Sequence, residues 1–177
     1  MRITGGEFKS RVIKGPLNTE SIRPTADRTR ETLFNIISNY LDFDSITFAD
    51  LFCGTGSFGL ECFSRGAVSG VFVDKNIITA SDNITRFGVE TKSKIIKQDV
   101  LRFLNGCENL FAELIYADPP YNYSHYNELI NNVSNFSALF ILEHKDKLDF
   151  EENIKEKIVT ERKSGLARLT FFNFNFI

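Results

Sequence analysis

The 177-residue chain has three cysteines, two histidines and no long apolar run. Cys53, Cys62 and Cys107 are odd in number and none stands in a C-x-x-C pair. That argues against a disulfide framework or a zinc site, and for reduced thiols in a cytoplasmic protein. Histidine is confined to His125 and His144, and no H-x-E with P-C-x-x-C occurs, which excludes a zinc-dependent base deaminase. Both histidines read as surface residues or helix partners. No apolar stretch approaches the ~20 residues that span a bilayer. The opening MRITGGEFKSR has no signal-peptide core, which argues against export and membrane contact. Internal repeats, linkers and low-complexity tracts are also missing. The expectation is one domain over 1–177: a basic hairpin extension at 1–22, a helical segment at 23–41 and a core at 46–177.

Net charge is −2, but its distribution is uneven. Residues 1–30 hold seven bases (Arg2, Lys9, Arg11, Lys14, Arg23, Arg28, Arg30) against Glu7, Glu20 and Asp27, a local charge of +4. The remainder carries −6. A basic arm on an acidic domain can contact phosphates. Arg2, Lys9, Arg11, Lys14, Arg23 and Arg30 are the candidates, and a solvated basic hairpin is the plainer alternative.

RITGGEFKSRVIKG reads as two short strands with glycine-bearing turns. A helix is expected from Thr25, a candidate N-cap, to about Leu41, burying Leu33, Ile36, Ile37, Tyr40 and Leu41. Strands at 46–52, 68–74, 93–98, 112–117 and 137–143 then alternate with helices near 57–65, 76–87, 99–105 and 124–134. This alternation specifies an α/β fold, with a mostly parallel sheet covered by helices on both faces. The tail adds two strands around a turn at 163–165, seven in all. Leu169, Phe171, Asn173 and Asn175 fall on one face of the last strand, and Phe172, Phe174 and Phe176 on the other. Apolar side chains on both faces fit a buried sheet member better than a stripe for stacking bases. The stretch 144–157 is too short for a full helix.

DLFCGTGSFGLE, at 50–61, carries Gly54, Gly56 and Gly59 at G-x-G-x-x-G spacing after a strand. Glycines there let the chain turn sharply and bring its backbone close to a ligand ahead of a helix. Asp50 beside that loop would repel a pyrophosphate and attract a cation, which favours S-adenosylmethionine over NAD. Asp74, ending VFVD, suits the hydroxyls of a ribose in either ligand. Asp99, ending the third strand, can accept from an adenine amino group with Val100 beside the ring, or can cap the next helix.

YADPPY, at 116–121, follows the fourth strand on the same ligand-binding edge. Pro119 and Pro120 fix the backbone around Asp118, and Tyr121 offers a flat face for a base. The lone pair of a base amino group is delocalised into its ring. Hydrogen bonds to a carboxylate and a carbonyl localise that lone pair and aim it at a methyl donor. No cysteine adjoins D-P-P-Y, so ring-carbon methylation through a cysteine adduct does not fit. Cys53 and Cys62 read as packing residues.

Together these motifs resemble the class I S-adenosylmethionine-dependent methyltransferases, and in particular the RsmD family of 16S ribosomal RNA guanine-N2 methyltransferases. The resemblance rests on MRITGGEFKSRVIKGP, RPTADRTRETLFNII (23–37), DLFCGTGSFGLECFSRGA (50–67), VFVDKN (71–76) and DPPY (118–121). It implies a Rossmann-like fold and methyl transfer, without a metal, to N2 of one guanine on assembled or assembling small subunits, by a cytoplasmic monomer. It also implies that Asp118 contacts the target amino group, with Pro119, Pro120 and Tyr121 presenting the base. Asp50, Cys53 (often alanine in the family), Gly54, Gly56, Asp74, Asp99 and Val100 would line the cofactor, with Thr25, Asp27 and Arg28 near its methionine end. The basic arm would contact RNA. An N6-adenine methyltransferase on DNA or RNA is the alternative, because D-P-P-Y chemistry suits either amino group. An NAD-dependent oxidoreductase leaves Asp50 and D-P-P-Y unexplained. A catalytically silent RNA-binding or assembly factor stays open, since only a turnover assay excludes it.

Overall fold

A computed structural model describes residues 1–15, 24–145, 148–164 and 167–175, with the side chains of 24–29 and 164 outside that description. Apolar runs that alternate with amphipathic segments form β1 (Thr47–Leu51), α2 (Ser57–Ser64), β2 (Ser69–Asp74), α3 (Ile78–Phe87) and β3 (Ser93–Lys97) after an initial α1 (Pro24–Ile37). They continue with α4 (Val100–Asn105), β4 (Leu114–Ala117), α5 (Tyr126–Val133) and β5 (Ala138–Lys145). A four-residue α6 (Glu152–Lys155), β6 (Ile158–Ser164) and β7 (Ala167–Phe174) complete the chain.

The seven strands make one sheet in the order β3-β2-β1-β4-β5-β7-β6. The first five are parallel, and β7 runs antiparallel to both β5 and β6. Strand alternation divides the core. Phe48, Phe72, Leu114, Tyr116, Ile141 and Phe171 face α1, α2, α3 and the N-terminal hairpin. Ala49, Leu51, Val73, Ile115, Ala117, Phe140 and Phe172 face α4, α5 and α6. The tail divides as its pattern requires: Leu169 and Phe171 lie in the first cluster, Phe172 and Phe174 in the second. No helix among the described residues is long and apolar enough to cross a membrane.

Three local expectations need correction. Helix α1 begins at Pro24, so Thr25 lies inside it and is not the cap. Proline suits a first helical turn because its missing N–H would have no partner there. Tyr40 is 42% exposed, since α1 ends at Ile37 and the following turn carries Tyr40 off the buried face. The N-terminal hairpin is held by one antiparallel bridge, Arg2 to Val12, rather than by two full strands.

That hairpin is anchored by side chains of the core. The buried Glu61 carboxylate accepts from Thr4 N at 2.8 Å, Thr4 Oγ1 at 2.7 Å, Gly5 N at 2.9 Å and Arg65 Nε at 3.1 Å. The Ser64 carbonyl accepts from Glu7 N at 2.7 Å and the Ser64 hydroxyl from Phe8 N at 2.9 Å. Buried Asn83 exchanges two hydrogen bonds with the Lys14 backbone and donates to the Thr55 carbonyl, tying the hairpin to the glycine loop. Removing the Glu61 carboxylate strands two backbone N–H groups and the Arg65 guanidinium. Glu61→Ala is expected to cost about 3–5 kcal/mol in chemical denaturation, whereas Glu7→Ala on the exposed side of the hairpin should change stability little.

Candidate active site

The strand order reverses between β1 and β4, which pair in parallel with Asp50 opposite Tyr116 and Leu51 opposite Ala117. The loops after these two strands diverge and leave a crevice at the carboxyl edge of the sheet, the usual ligand position in such folds. The glycine loop leaves from β1 and the D-P-P-Y segment from β4.

In the first loop, Gly54 and Gly56 adopt φ of 54° and 74°. Gly59 serves packing: a side chain there would collide with the rings of Phe48 and Phe72, so glycine lets α2 lie close on the sheet. The Gly54 N–H donates to Asp74 Oδ2 at 2.9 Å and the Asn76 N–H to Asp74 Oδ1 at 2.9 Å. Each carboxylate oxygen keeps a second lone pair for a ligand hydroxyl. Phe52, a non-glycine at φ 61°, carries strain of about 1–3 kcal/mol at this edge.

Two cavities meet at Asp118. One, of about 320 Å³, is lined by Phe52, Asp74, Lys75, Asp99, Val100, Asp118, Pro120 and Tyr123. The other, of about 260 Å³, is lined by Asp118, Pro119, Tyr121, Tyr126, Glu143, His144, Lys145 and Ala167. Aromatic edges run along both: Phe52 meets Tyr123 at 5.3 Å and Tyr123 meets Tyr126 at 5.1 Å, centroid to centroid. The first cavity holds three carboxylates and a single lysine, and that lysine is already paired, Lys75 Nζ to Asp99 Oδ2 at 2.9 Å. Its net negative lining suits a cationic adenosine ligand and opposes a pyrophosphate. The Tyr123 hydroxyl in its wall is buried with no hydrogen-bond partner among the described residues, a donor available to a ligand.

The carboxyls have distinct electrostatics. Asp118 is open to both cavities, yet enough protein surrounds it that loss of hydration, and then the Glu143 carboxylate, push its pKa up to about 7. Asp50 is 2% exposed and accepts from Gly59 N at 3.1 Å. Burial raises it well above the usual carboxylate range, the Gly59 bond lowers it, Asp118 and Asp74 raise it further, and Arg30 opposes them. Asp99 is held below its ordinary value by Lys75 and by the backbone N–H of Arg102, which it caps at 3.1 Å. Asp99 therefore caps α4 and lines the cavity as well. Burial pushes the Cys53 and Cys62 thiols up, so neither is a ready nucleophile.

The expected site residues are only partly gathered. Asp74, Asp99 and Val100 share the first cavity with Asp118 and Pro120; Pro119 and Tyr121 share the second, with Tyr121 86% exposed. Asp50, Cys53, Gly54 and Gly56 are not among the residues that line either cavity. Thr25, Asp27 and Arg28 lie in α1, with side chains outside the described residues, and Arg23 lies outside them altogether. Of the basic arm, Arg11 sits over the Phe87 ring at 4.2 Å and donates to the Arg86 carbonyl at 2.7 Å. Lys14 pairs with Asp82 at 2.9 Å, and Arg30 donates to the Arg2 carbonyl at 3.1 Å.

His144 corrects the surface reading. It is 3% exposed, with Nε2 2.7 Å from Thr170 Oγ1 and Nδ1 2.8 Å from the Lys145 carbonyl, because β7 pairs beside β5 and the rings of Tyr126 and Phe150 pack against it. His125 is exposed and faces Glu128 at 3.6 Å. Phe52, Lys75, Tyr123, Glu143 and Lys145 line the cavities and were not foreseen. The signal for Glu143 was an acid closing the apolar run ALFILE on the same sheet edge as Asp118.

Over residues 1–173 the chain matches the model of the family described as Conserved hypothetical protein 95. It is 31% identical over 158 residues to ribosomal RNA small subunit methyltransferase D of Haemophilus influenzae, covering 83% of this chain and 80% of that protein. Its fold superposes with TM-score 0.83 on the solved structure of the Escherichia coli yhhF protein, assigned as a methyltransferase. That match is at 23% identity and covers 100% of this chain and 99% of the other. A more distant fold match, TM-score 0.64 at 15% identity, is SMU.776, assigned as a methyltransferase and solved in complex with SAH. It covers 86% of this chain and 50% of the other.

The raised Asp118 pKa has a consequence for stability. Because the folded protein holds that proton more tightly than the unfolded chain, Asp118 costs stability as pH climbs from the ordinary 3.8 to about 7, and the full penalty remains above it. Asp118→Asn should melt close to the wild type at pH 4 and above it at pH 8, by calorimetry without ligand.

Proposed function

Because the chain belongs to the Conserved hypothetical protein 95 family, the RsmD family of S-adenosylmethionine-dependent methyltransferases, we propose that it methylates the exocyclic N2 of one guanine in small-subunit ribosomal RNA. The substrate particle is the assembled or assembling subunit. The observation that carries this reading is the meeting of two cavities at Asp118: an acidic one suited to a cationic adenosine, and an aromatic-rimmed one suited to a base.

S-adenosylmethionine, when bound, supplies a methyl group on a sulfonium, which leaves as a neutral thioether. Asp74, Asp99, Val100, Phe52 and Tyr123 would hold its adenosine, with Asp50, Cys53, Gly54 and Gly56 shaping the loop behind and Thr25, Asp27 and Arg28 near its methionine end. Asp118 accepts a hydrogen bond from the target amino group, localises its lone pair, and takes up the proton that the amino group sheds. Its raised pKa makes it a competent acceptor near neutrality. Pro119 and Pro120 hold the flanking carbonyls in place, and the exposed Tyr121 ring stacks on the base. Positioning and electrostatics supply the rate, with no covalent enzyme intermediate. Arg2, Lys9, Arg11, Lys14, Arg23 and Arg30 form the phosphate-facing arm. The enzyme acts as a cytoplasmic monomer.

The direct test uses labelled S-adenosylmethionine and small subunits lacking the modification, followed by digestion to nucleosides and mapping. N2-methylguanosine at one position is expected; N6-methyladenosine, or no transfer, would overturn the proposal. Asp118→Ala should abolish transfer while cofactor binding by calorimetry persists. For the wild type, kcat/KM should rise with pH through about 7 as Asp118 ionises in the free enzyme. Reversing the charges of Arg2, Lys9, Arg11 and Lys14 should flatten the salt dependence of substrate binding.

A further inference from the structure

The second cavity has a polar pattern that neither D-P-P-Y nor the glycine loop accounts for. In β5, Glu143 and Lys145 are two residues apart and so share the sheet face that carries Ile141. The register pairs Tyr116 with Ile141 and Ala117 with Leu142, and one step further sets Asp118 beside Glu143. The Tyr116 hydroxyl donates to Glu143 Oε2 at 2.8 Å, and Tyr116 is itself stacked on Phe58, ring centroids 4.1 Å apart and the rings nearly parallel. Oε1 has no hydrogen-bond partner among the described residues. One oxygen of Glu143 is thus fixed by a rigid phenol and the other is left for whatever enters beside Asp118. Along this edge the cavity presents an acceptor at Asp118, a second acceptor at Glu143 and a cation at Lys145.

We propose that Glu143 is a specificity residue that selects guanine by accepting its N1–H, with Lys145 donating to O6, while Asp118 engages the 2-amino group. This rests on the guanine-N2 reading above and adds how the base is chosen. The Watson–Crick edge of guanine runs donor, donor, acceptor through N2–H, N1–H and O6, which complements carboxylate, carboxylate, ammonium in that order. Adenine offers its amino group next to a bare N1 acceptor, which would face the Glu143 carboxylate and repel it. A buried acceptor left against a lone pair is a strong means of rejection. Tyr116 acts as a positioning residue, because it holds the carboxylate without facing the base.

The test uses small subunits reassembled from RNA carrying either guanine or 2-aminopurine at the mapped position. 2-Aminopurine keeps the 2-amino group but has a bare N1 and no O6. Initial rates of labelled methyl transfer should favour guanine about 10- to 100-fold with the wild-type enzyme. Glu143→Gln, whose amide would present N–H groups to N1, should narrow that ratio at least tenfold, mainly by slowing guanine, while cofactor binding is unchanged. Glu143→Asp, which keeps the carboxylate, should retain a preference for guanine. Equal wild-type rates on the two bases would overturn the inference with no variant needed, so it stays testable even where Glu143→Gln fails to fold. Equal loss on both bases in Glu143→Gln, with the ratio intact, would also overturn it and leave the guanine-N2 reading standing. Absence of wild-type transfer to the guanine-containing subunits would remove that reading and this inference together.

Discussion

The parallel pairing of β1 with β4 is the constraint on which the site depends. It sets Asp50 against Tyr116 and brings two strand ends, far apart in the chain, out of one edge of the sheet. The chain after β1 then turns toward β2 and the chain after β4 toward β5, so a crevice opens between them. A slip of one residue in that register would turn every side chain of β4 to the opposite face. Tyr116 would then lose both Phe58 and Glu143, and the D-P-P-Y segment would no longer divide the two cavities. The buried aromatic cluster of Phe48, Phe58, Phe63 and Phe72 makes such a slip expensive, and the close approach allowed by Gly59 is part of the same packing.

On this scaffold the protein accumulates negative charge where a soluble domain would ordinarily avoid it. Asp50, Asp74, Asp99, Asp118 and Glu143 gather along one edge, and among the described residues the cations near them are few: Lys75 on Asp99, Lys145 in the cavity with Glu143, and Arg30 within electrostatic reach of Asp50. Burial first, and the neighbouring carboxylates after it, raise the pKa values of Asp118 and Asp50 above the normal carboxylate range. Carboxyls perturbed in this way cluster at functional sites, and their cost is offset elsewhere by the core. The strained backbone of Phe52 lies in the same crevice.

The N-terminal hairpin obeys a different logic. It has too few ladder bonds to stand alone, and it is held by a buried carboxylate on α2 and a buried amide on α3. Because Asn83 also holds the Thr55 carbonyl, the basic arm and the glycine loop are fixed to one platform. Arg11 and Lys14 spend part of their charge on α3, while Lys9 is exposed to solvent.

Local pattern was enough to place all seven strands, the five main helices and the two-faced tail, because apolar periodicity and glycine or proline punctuation are properties of neighbouring residues. It was also enough to mark Asp118, Pro119, Pro120, Tyr121, Asp74, Asp99 and Val100, which line the two cavities, since each lies at or just after a strand end visible in the chain. It failed where a residue's surroundings come from elsewhere. His144 looks like an ordinary strand-end histidine until β7 pairs beside it and Phe150 packs on its ring; Tyr40 fits a helical stripe that stops one turn early. Glu143 gains its meaning only beside Asp118 and beneath Tyr116, a relation set by strand register. The amino-acid sequence by itself determined the elements, the chemistry of the strand ends and the family. Tertiary structure alone decided which carboxylates share a cavity and which oxygen of Glu143 remains open, because cross-strand neighbours are chosen by register and packing rather than by proximity along the chain.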